Sequence, residues 1–214
     1  EIYRLYPGGS SLGLYILLNE MDPKVEPLYP DNILVLSVSP LVGFPISGAN
    51  RMTCTTKSPL TNTVGDSQAG GFFPSYLKGN GWDGLVFRGK SQKPVYLYID
   101  GENTELKDGS NVWGKETGEA EEIIRNELGE DRIDIAQIGP GGENLVKYAC
   151  IINMCNRANG RNGTGAVMGS KNLKAIAVKK NLGRQPVDKE GFKALAESMK
   201  ERLATNESLL ALGK

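Results

Sequence analysis

The chain has no histidine among its 214 residues. Histidine is the side chain that most often performs acid–base chemistry and metal ligation near neutral pH, so its absence excludes the commonest catalytic designs. Any demanding chemistry performed here must therefore come from a bound group, such as a cofactor.

Cysteine is also scarce: only Cys54, Cys150 and Cys155 are present. Three thiols are too few and too scattered for a disulfide framework, which favours a reducing, intracellular setting. Cys150 and Cys155 could form a metal-binding pair, but the segment 151–154 between them is predicted to be a strand, with the two thiols on opposite faces. The preferred interpretation is that both are small, buried apolar residues.

No apolar run approaches the ~20 residues that cross a bilayer, and no signal peptide follows Glu1. Lysine and arginine number 25 and so do aspartate and glutamate, so no overall basic field would attract nucleic acid or an anionic membrane. We expect a soluble, cytoplasmic protein that binds neither. The chain begins with glutamate rather than methionine, so the sequence leaves open whether a further segment precedes Glu1.

The order of apolar and turn-forming residues predicts an α+β fold with mostly antiparallel β-sheets, a few flanking helices, and then the start of a helical domain. We divide the chain into a domain at 1–180, a linker at 181–187 and the beginning of a second, helical domain at 188–214. Asp188 is expected to cap a helix from 189 to 205, whose apolar face could instead dock on the first domain. The predicted helices are 12–21, 71–78 and 119–128; the predicted strands are 33–39, 52–56, 84–87, 95–99, 103–107, 133–138, 145–152 and 173–178.

Three glycine-rich loops are the most informative feature, at 47–51, 67–71 and 157–165. Glycine lets backbone N–H groups approach a ligand closely, and the arginines of the first and third loops offer a planar set of donors for phosphate or carboxylate. Taken singly, each loop could be an ordinary tight turn. Together they predict an anion-binding site.

Two segments have part of a nucleotide-binding motif, but neither matches it fully. The segment 109–115 has the spacing of a phosphate-binding loop, but Glu116 stands where a serine or threonine must bind magnesium. Gly163, Gly165 and Gly169 have the wrong spacing for the dinucleotide motif, and lysines 179 and 180 follow the next strand where an acid should hold the ribose. NAD binding is therefore a weak alternative.

Six segments stand out when they are taken together: Arg51 with TTKSPLT at 55–61, AGGFF at 69–73, GWDG at 81–84, KPVY at 93–96, IGPGGEN at 138–144 and GAVMGSKNLKA at 165–175. Together they resemble the N-terminal domain of the tungsten-containing aldehyde:ferredoxin oxidoreductase family. The resemblance runs from about Gly8 to Val178 in the family's order and spacing, and the tail from Val187 resembles the start of the family's helical domain.

The resemblance implies an enzyme that oxidises an aldehyde to a carboxylic acid and passes electrons to ferredoxin or a similar carrier. It implies a tungsten or molybdenum atom held by two pterins, a magnesium ion, and a 4Fe-4S cluster in the full-length protein that no cysteine of this chain ligates. According to the resemblance, this domain would form the surface against which the cofactor lies, which we call the cofactor floor. The chain alone would be inactive. The resemblance leaves open whether the protein is a homodimer.

By position, the resemblance places Arg51 between the pterin and the 4Fe-4S cluster and assigns pterin and phosphate contacts to Gly70, Arg157, Gly160 and Arg161. It assigns magnesium contacts to two main-chain carbonyls. The cofactor-binding residues would be Arg51, Gly70, Gly71, Arg157, Gly160 and Arg161, and the carbonyls those of Gln68 and Ala158.

Two departures stand out. The family often has asparagine where Gln68 stands, and a glycine–arginine–glycine turn where this chain has Gly8, Gly9, Ser10 and Ser11. The family's first hairpin is absent, and its cluster-binding cysteines and acid–base residues lie in later domains. The competing interpretation is a non-catalytic anion-binding or assembly module derived from such an enzyme.

Overall fold

A computed structural model describes residues 1–46, 48–181, 183 and 185–208. Ser47 of the first loop, parts of the proposed linker, and residues 209–214 of the proposed second domain lie outside these ranges. The elements in chain order are α1 (Ile2–Leu5), α2 (Gly9–Glu20), β1 (Leu34–Val38), β2 (Met52–Lys57), β3 (Val64–Ala69), α3 (Phe73–Gly79), β4 (Gly84–Phe87), β5 (Val95–Asp100), β6 (Asn103–Asp108), α4 (Thr117–Leu128), β7 (Ile133–Gln137), α5 (Pro140–Glu143), β8 (Ile151–Asn153), β9 (Arg157–Asn159), α6 (Thr164–Ser170), β10 (Leu173–Lys179) and α7 (Lys189–Thr205).

The described strands form two sheets. One has four strands in the order β3-β2-β1-β4, and the other has six in the order β6-β5-β10-β7-β8-β9. Each described pairing is antiparallel except that of β10 with β5, which is parallel. The expected α+β class with mostly antiparallel sheet is confirmed.

The main core lies between the two sheets, where α3 and α6 also contribute. The side chains of β1 lie alternately on the two faces of its sheet. Leu34, Leu36 and Val38 face this core, whereas Val35 packs with Leu17 of α2 on the outer face. This period of two is the pattern that places successive side chains on opposite faces of a sheet. The outer face of the six-stranded sheet is covered by α4 through Ala120 and Ile124. The layers are therefore α2, four strands, core, six strands and α4.

One predicted strand is wrong. Instead of an extended segment at 145–152, the chain passes through Leu145 in the left-handed region, with φ of 57°, and strand β8 begins only at Ile151. The amide of Val146 bonds back to the carbonyl of Gly141, which completes a turn rather than a ladder. The short elements β3, β9, α5 and α6 were not predicted.

Helix α7 was predicted at 189–205 and is found there, with the Asp188 carboxylate accepting a hydrogen bond from the Gly191 amide at 2.8 Å. The Phe192 ring lies 4.8 Å from that of Phe44, so the helix contacts the first domain, although none of its residues is buried. The division into two domains stays a prediction.

A buried lysine at the C-terminal end of α6 connects this helix to two loops across the molecule. The Lys171 ammonium donates to the backbone carbonyls of Pro30, Asn32 and Gly89 at 3.1, 2.5 and 3.1 Å. Burial lowers the pKa of Lys171 to about 8. Without this ammonium, the carbonyls of Asn32 and Gly89 would lose this donor, whereas the Pro30 carbonyl also accepts from the Gly89 amide.

We expect Lys171→Met to lower the free energy of unfolding by about 3 kcal/mol, because a buried acceptor left without a partner costs roughly 1–3 kcal/mol. Urea denaturation of the chain measures this effect. Lys147→Met, at an exposed lysine, is the control and should change the stability by less than about 0.5 kcal/mol. Equal stability of the two variants would contradict the role given to Lys171.

Candidate functional site

The two sheets meet where edge strand β9 of one lies against edge strand β3 of the other. The Asn159 side chain makes this junction: its amide nitrogen donates to the carbonyls of Ser67 at 2.9 Å and Met52 at 3.3 Å. The Thr164 hydroxyl donates to the Asn159 carbonyl at 3.2 Å, and the Asn162 amide donates to the Asp66 carbonyl at 3.0 Å. The third glycine-rich loop is thus bonded to the strand that leads into the second.

A polar cleft of about 500 Å³ opens beside this junction, and all three loops contribute to it. The sequence-predicted residues that line it are Arg51, Gln68, Gly70, Gly71, Arg157 and Ala158. Asn50 and Asn156 also line it, although nothing in the sequence selected them as single site residues. The structure therefore gathers residues as far apart in the chain as Ile46 and Ala158.

Arg157 is placed by the β8–β9 hairpin, in which it pairs with Asn153, and Gln68 by β3, in which it pairs with Thr53. Strand β3 alternates exposed and buried residues, so the Gln68 side chain is exposed while Ser67 and Ala69 face inward. Arg51 precedes β2 and is exposed. Two guanidinium groups therefore stand on different loops around one cleft.

No carboxylate in the described ranges lies within ion-pair distance of Arg51, Arg157 or Arg161, and the same is true of Arg4, Arg132 and Arg202, whereas Arg88 and Arg125 each pair with a glutamate. Arg51 and Arg157 are distinguished by their place, because both line the cleft and none of the described residues that line it is acidic. An excess of unpaired positive charge at a polar, glycine-lined surface is what an anion site requires.

Gly160 and Arg161 do not line the cleft. Arg161, Asn162 and Gly163 all adopt left-handed backbone, with φ of 62°, 58° and 69°, and form a tight turn before α6. A Cβ on Gly163 would lie 2.1 Å from the Lys147 carbonyl oxygen, so this glycine is required by backbone packing. Part of the glycine content of the third loop is thus structural.

The two glycines of the second loop differ. Gly71 has φ of 115°, and its Cβ would lie 2.2 Å from the Asn153 amide oxygen. Gly70 has ordinary backbone, and the nearest atom to its Cβ would be the Asn50 carbonyl oxygen at 3.6 Å. The expected close approach to a ligand therefore fits Gly70, while the positive φ belongs to Gly71.

Polar groups without partners lie beneath the cleft. Asn153 is fully buried, and neither atom of its amide has a hydrogen-bond partner in the described structure; the Ser67 hydroxyl and the Asn159 amide oxygen are also unpaired. Buried polar atoms of this kind are uncommon and mark places where a group is missing or where function costs stability. Ser67 and Asn159 belong to strands that line the cleft, and Asn153 belongs to β8, which pairs with β9.

The cysteines were partly misjudged. Cys54 is buried as a small apolar residue, but Cys150 is only half-buried and Cys155 is exposed, in a left-handed turn after β8. Partial burial and then the Glu121 carboxylate, 3.3 Å from its sulfur, raise the pKa of the Cys155 thiol. In the described residues, no three acidic, cysteine or histidine side chains gather to hold a metal ion.

No helix among the described residues is both long and apolar enough to cross a membrane.

The sequence profile described as "Aldehyde ferredoxin oxidoreductase, N-terminal domain" matches residues 1–180. The chain is 47% identical over 192 residues to a tungsten-containing aldehyde ferredoxin oxidoreductase of Pyrococcus furiosus, covering 90% of this chain and 32% of the relative. It is 35% identical over 212 residues to an "aliphatic sulfonate oxidoreductase, WOR-like subunit" of the same organism, covering 91% and 34%.

A solved structure has the same fold. The active-site complex BamBC of benzoyl coenzyme A reductase, in complex with 1,5-dienoyl-CoA, superimposes with a TM-score of 0.92 at 38% identity, covering 96% of this chain and 31% of that chain. The chain spans about a third of the length of the curated relatives described above.

The contrast between the two loop glycines can be measured without any ligand. Gly71→Ala is expected to destabilise the chain by about 2 kcal/mol, because left-handed backbone and a contact with Asn153 both oppose a side chain. Gly70→Ala should stay within about 0.5 kcal/mol of the parent chain. Thermal unfolding of both variants provides the measurement, and a greater loss at Gly70 would reverse the assignment.

Proposed function

The chain belongs to the aldehyde ferredoxin oxidoreductase family, and on this premise we propose that it is the cofactor-binding domain of an oxidoreductase that oxidises an aldehyde to a carboxylic acid and delivers electrons to ferredoxin or a similar carrier. The observation that carries the proposal is the polar cleft at the β3–β9 junction, where two arginines without carboxylate partners face the glycines of the second loop.

The residues of the cleft fit a tungsten or molybdenum bis-pterin. Pterin phosphates need donors with positive charge, which Arg51 and Arg157 provide. A flat ring system needs a surface without side chains. Gly70 has none, and a Cβ at this position would contact only the Asn50 carbonyl oxygen, at 3.6 Å. The unpaired Ser67, Asn153 and Asn159 atoms beneath the floor give the site a polar support for a charged cofactor.

We assign the magnesium ion that the family resemblance implies to the main-chain carbonyls of Gln68 and Ala158, which would hold it. Magnesium prefers oxygen ligands, and both residues line the cleft from facing edge strands. The use of carbonyls explains why glutamine can stand where the family often has asparagine. It also requires that the junction hold β3 and β9 at a fixed separation.

Gly160 and Arg161 would act at the rim of the site. The left-handed turn that contains Arg161 is bonded to β3 through Asn162. Arg161 is exposed and has no carboxylate partner among the described residues. We assign it to the outer phosphate rather than to the ring system.

When bound, the metal–pterin group would supply the two-electron redox chemistry that a chain without histidine cannot perform. The residues of this chain bind and orient that group and surround it with positive charge. We assign the 4Fe-4S cluster and the substrate acid–base groups to parts of the enzyme that this chain does not contain.

The names of the relatives bear on the substrate. One relative is named for aldehydes and another for aliphatic sulfonates, although each aligns with about nine-tenths of this chain. A floor shared by enzymes named for different substrates recognises the cofactor rather than the substrate. We propose an aldehyde substrate on the higher identity to the aldehyde enzyme.

Arg157→Ala should lower the pterin and tungsten content of the purified protein by about tenfold or more, because a charge-assisted bond to phosphate contributes roughly 1.5–3 kcal/mol. The measurement is pterin fluorescence after oxidative release, with tungsten determined by elemental analysis. Arg88→Ala, at an exposed arginine that pairs with Glu20, is the control. Equal cofactor content in the two variants would contradict the role of the third loop.

Gly70→Val tests the cofactor floor separately from folding. Because the φ of Gly70 lies outside the left-handed region and its Cβ would meet only the Asn50 carbonyl oxygen, at the ordinary contact distance of 3.6 Å, the variant should melt within a few degrees of the parent chain. It should nevertheless contain little pterin, since the side chain would occupy the space of the ring system. Normal melting together with full pterin content would refute the assignment, whereas Gln68→Ala should retain the cofactor.

A further inference from the structure

A second cavity lies on the other side of the loops that form the cleft. We call it the acidic pocket and define it by Phe72, Tyr76, Glu121, Arg125, Asp131 and Asp134; its volume is about 360 Å³. Gly71 and Asn156 line the cleft, whereas their neighbours Phe72 and Cys155 line the pocket. The proposed function does not use this pocket.

The charges of the pocket do not balance. Arg125 donates to the Glu121 carboxylate through Nε at 3.1 Å and Nη2 at 2.6 Å, and to the backbone carbonyl of Asp131 at 2.9 Å. This guanidinium therefore neutralises Glu121. In the described structure, neither Asp131 nor Asp134 forms an ion pair with a cation. The pocket has two carboxylates in excess.

Asp134 is the informative member of this set. Asp134 lies on β7 and is only 3% exposed. Its Oδ1 accepts a hydrogen bond from the Ile135 amide at 3.0 Å, and its Oδ2 has no hydrogen-bond partner of good geometry among the described residues, although the nearby Phe73 amide and Arg125 guanidinium favour the ionised carboxyl. Burial, with a further contribution from Glu121, raises the pKa of this carboxyl to about 6, so it is still mainly ionised at pH 7. A buried carboxylate without a counter-ion is costly unless a partner arrives.

Aromatic rings form the outer wall. Phe72 is 55% exposed, and its ring lies 6.2 Å from that of Tyr76 at an interplanar angle of 21°. The Lys180 ammonium already lies 5.8 Å from the centre of the Tyr76 ring, so the Phe72 ring is the one on which a further cation can stack. A planar cation can stack on such a ring while it donates to carboxylates, and guanidinium does both.

We propose that the acidic pocket binds a guanidinium group, which donates to the Asp134 and Asp131 carboxylates and stacks on the Phe72 ring. This proposal is independent of the cofactor assignment. The guanidinium can belong to a small metabolite or to an arginine of a polypeptide, and the chemistry of recognition is the same.

Binding should depend on pH through Asp134. The charged and titratable groups that interact with it are Glu121, Arg125 and Tyr76. Asp131 and Cys155 share the pocket with it, and Arg132 and Lys180 lie beside the Tyr76 ring outside the pocket lining. Asp134 has the carboxyl whose pKa is raised to about 6. Guanidinium affinity should therefore be nearly constant above pH 7 and fall about tenfold for each pH unit well below 6.

The experiment is calorimetric titration of the folded chain with methylguanidinium at pH 8 and pH 5. Asp134→Asn should weaken binding at pH 8 about tenfold or more, and it should raise the melting temperature at pH 7 because it removes a buried charge. Asp108→Asn, at an acid paired with Lys93 on the opposite sheet edge, is the control and should bind like the parent.

Two further probes identify the source and the chemistry. Methylammonium should bind more weakly than methylguanidinium because it cannot stack. A capped Gly-Arg-Gly peptide that binds at least as tightly as methylguanidinium would indicate an arginine of a polypeptide, whereas binding of methylguanidinium alone would indicate a metabolite. Equal affinity of the parent and Asp134→Asn, or the same affinity at pH 8 and pH 5, would overturn the proposal.

Discussion

The hydrogen bonds of one buried amide set the geometry of the molecule. Asn159 belongs to the six-stranded sheet, and its nitrogen donates to carbonyls of β2 and β3 in the four-stranded sheet. Two sheet edges would otherwise present unpaired backbone groups to each other and could slide. Because the donor is a single atom between two fixed carbonyls, the edges are held at one separation. The cleft, which Gln68, Arg157 and Ala158 line, depends on this junction.

Much of the fold could be predicted from the sequence because its strands have strong local signals. The segments at 33–39, 95–99 and 173–178 are apolar runs bounded by turns, and Asp100 with Gly101 specifies the β5–β6 hairpin. The amphipathic pattern of α4 and the Asp188 cap of α7 also belong to short stretches of chain. These elements can be predicted without knowing which distant segments they contact, and the structure contains each of them.

The missed elements depend on distant partners. Strands β3 and β9 contain residues such as Asp66, Ser67 and Arg157, which have low strand propensity, and they are extended because of the ladder and the Asn159 junction. Six of the eight predicted site residues line one cleft. The glycines and arginines of their loops were the sequence feature that predicted this site. Gly163 belongs to the third loop, which was predicted to bind an anion, and only the nearby Lys147 carbonyl shows that backbone packing requires this glycine. The buried state of Asn153 has no sequence signal.

The position of β10 has a consequence for the order of assembly. This strand is the last of its sheet in sequence, yet it lies between β5 and β7 and joins them. The β5–β6 hairpin and the β7–β8–β9 unit therefore cannot become one sheet until residues 173–179 have been synthesised. Strand β9 forms one wall of the cleft, so that wall reaches its final place late in folding. During translation, loading of any ligand in the cleft must wait for a strand that does not touch it.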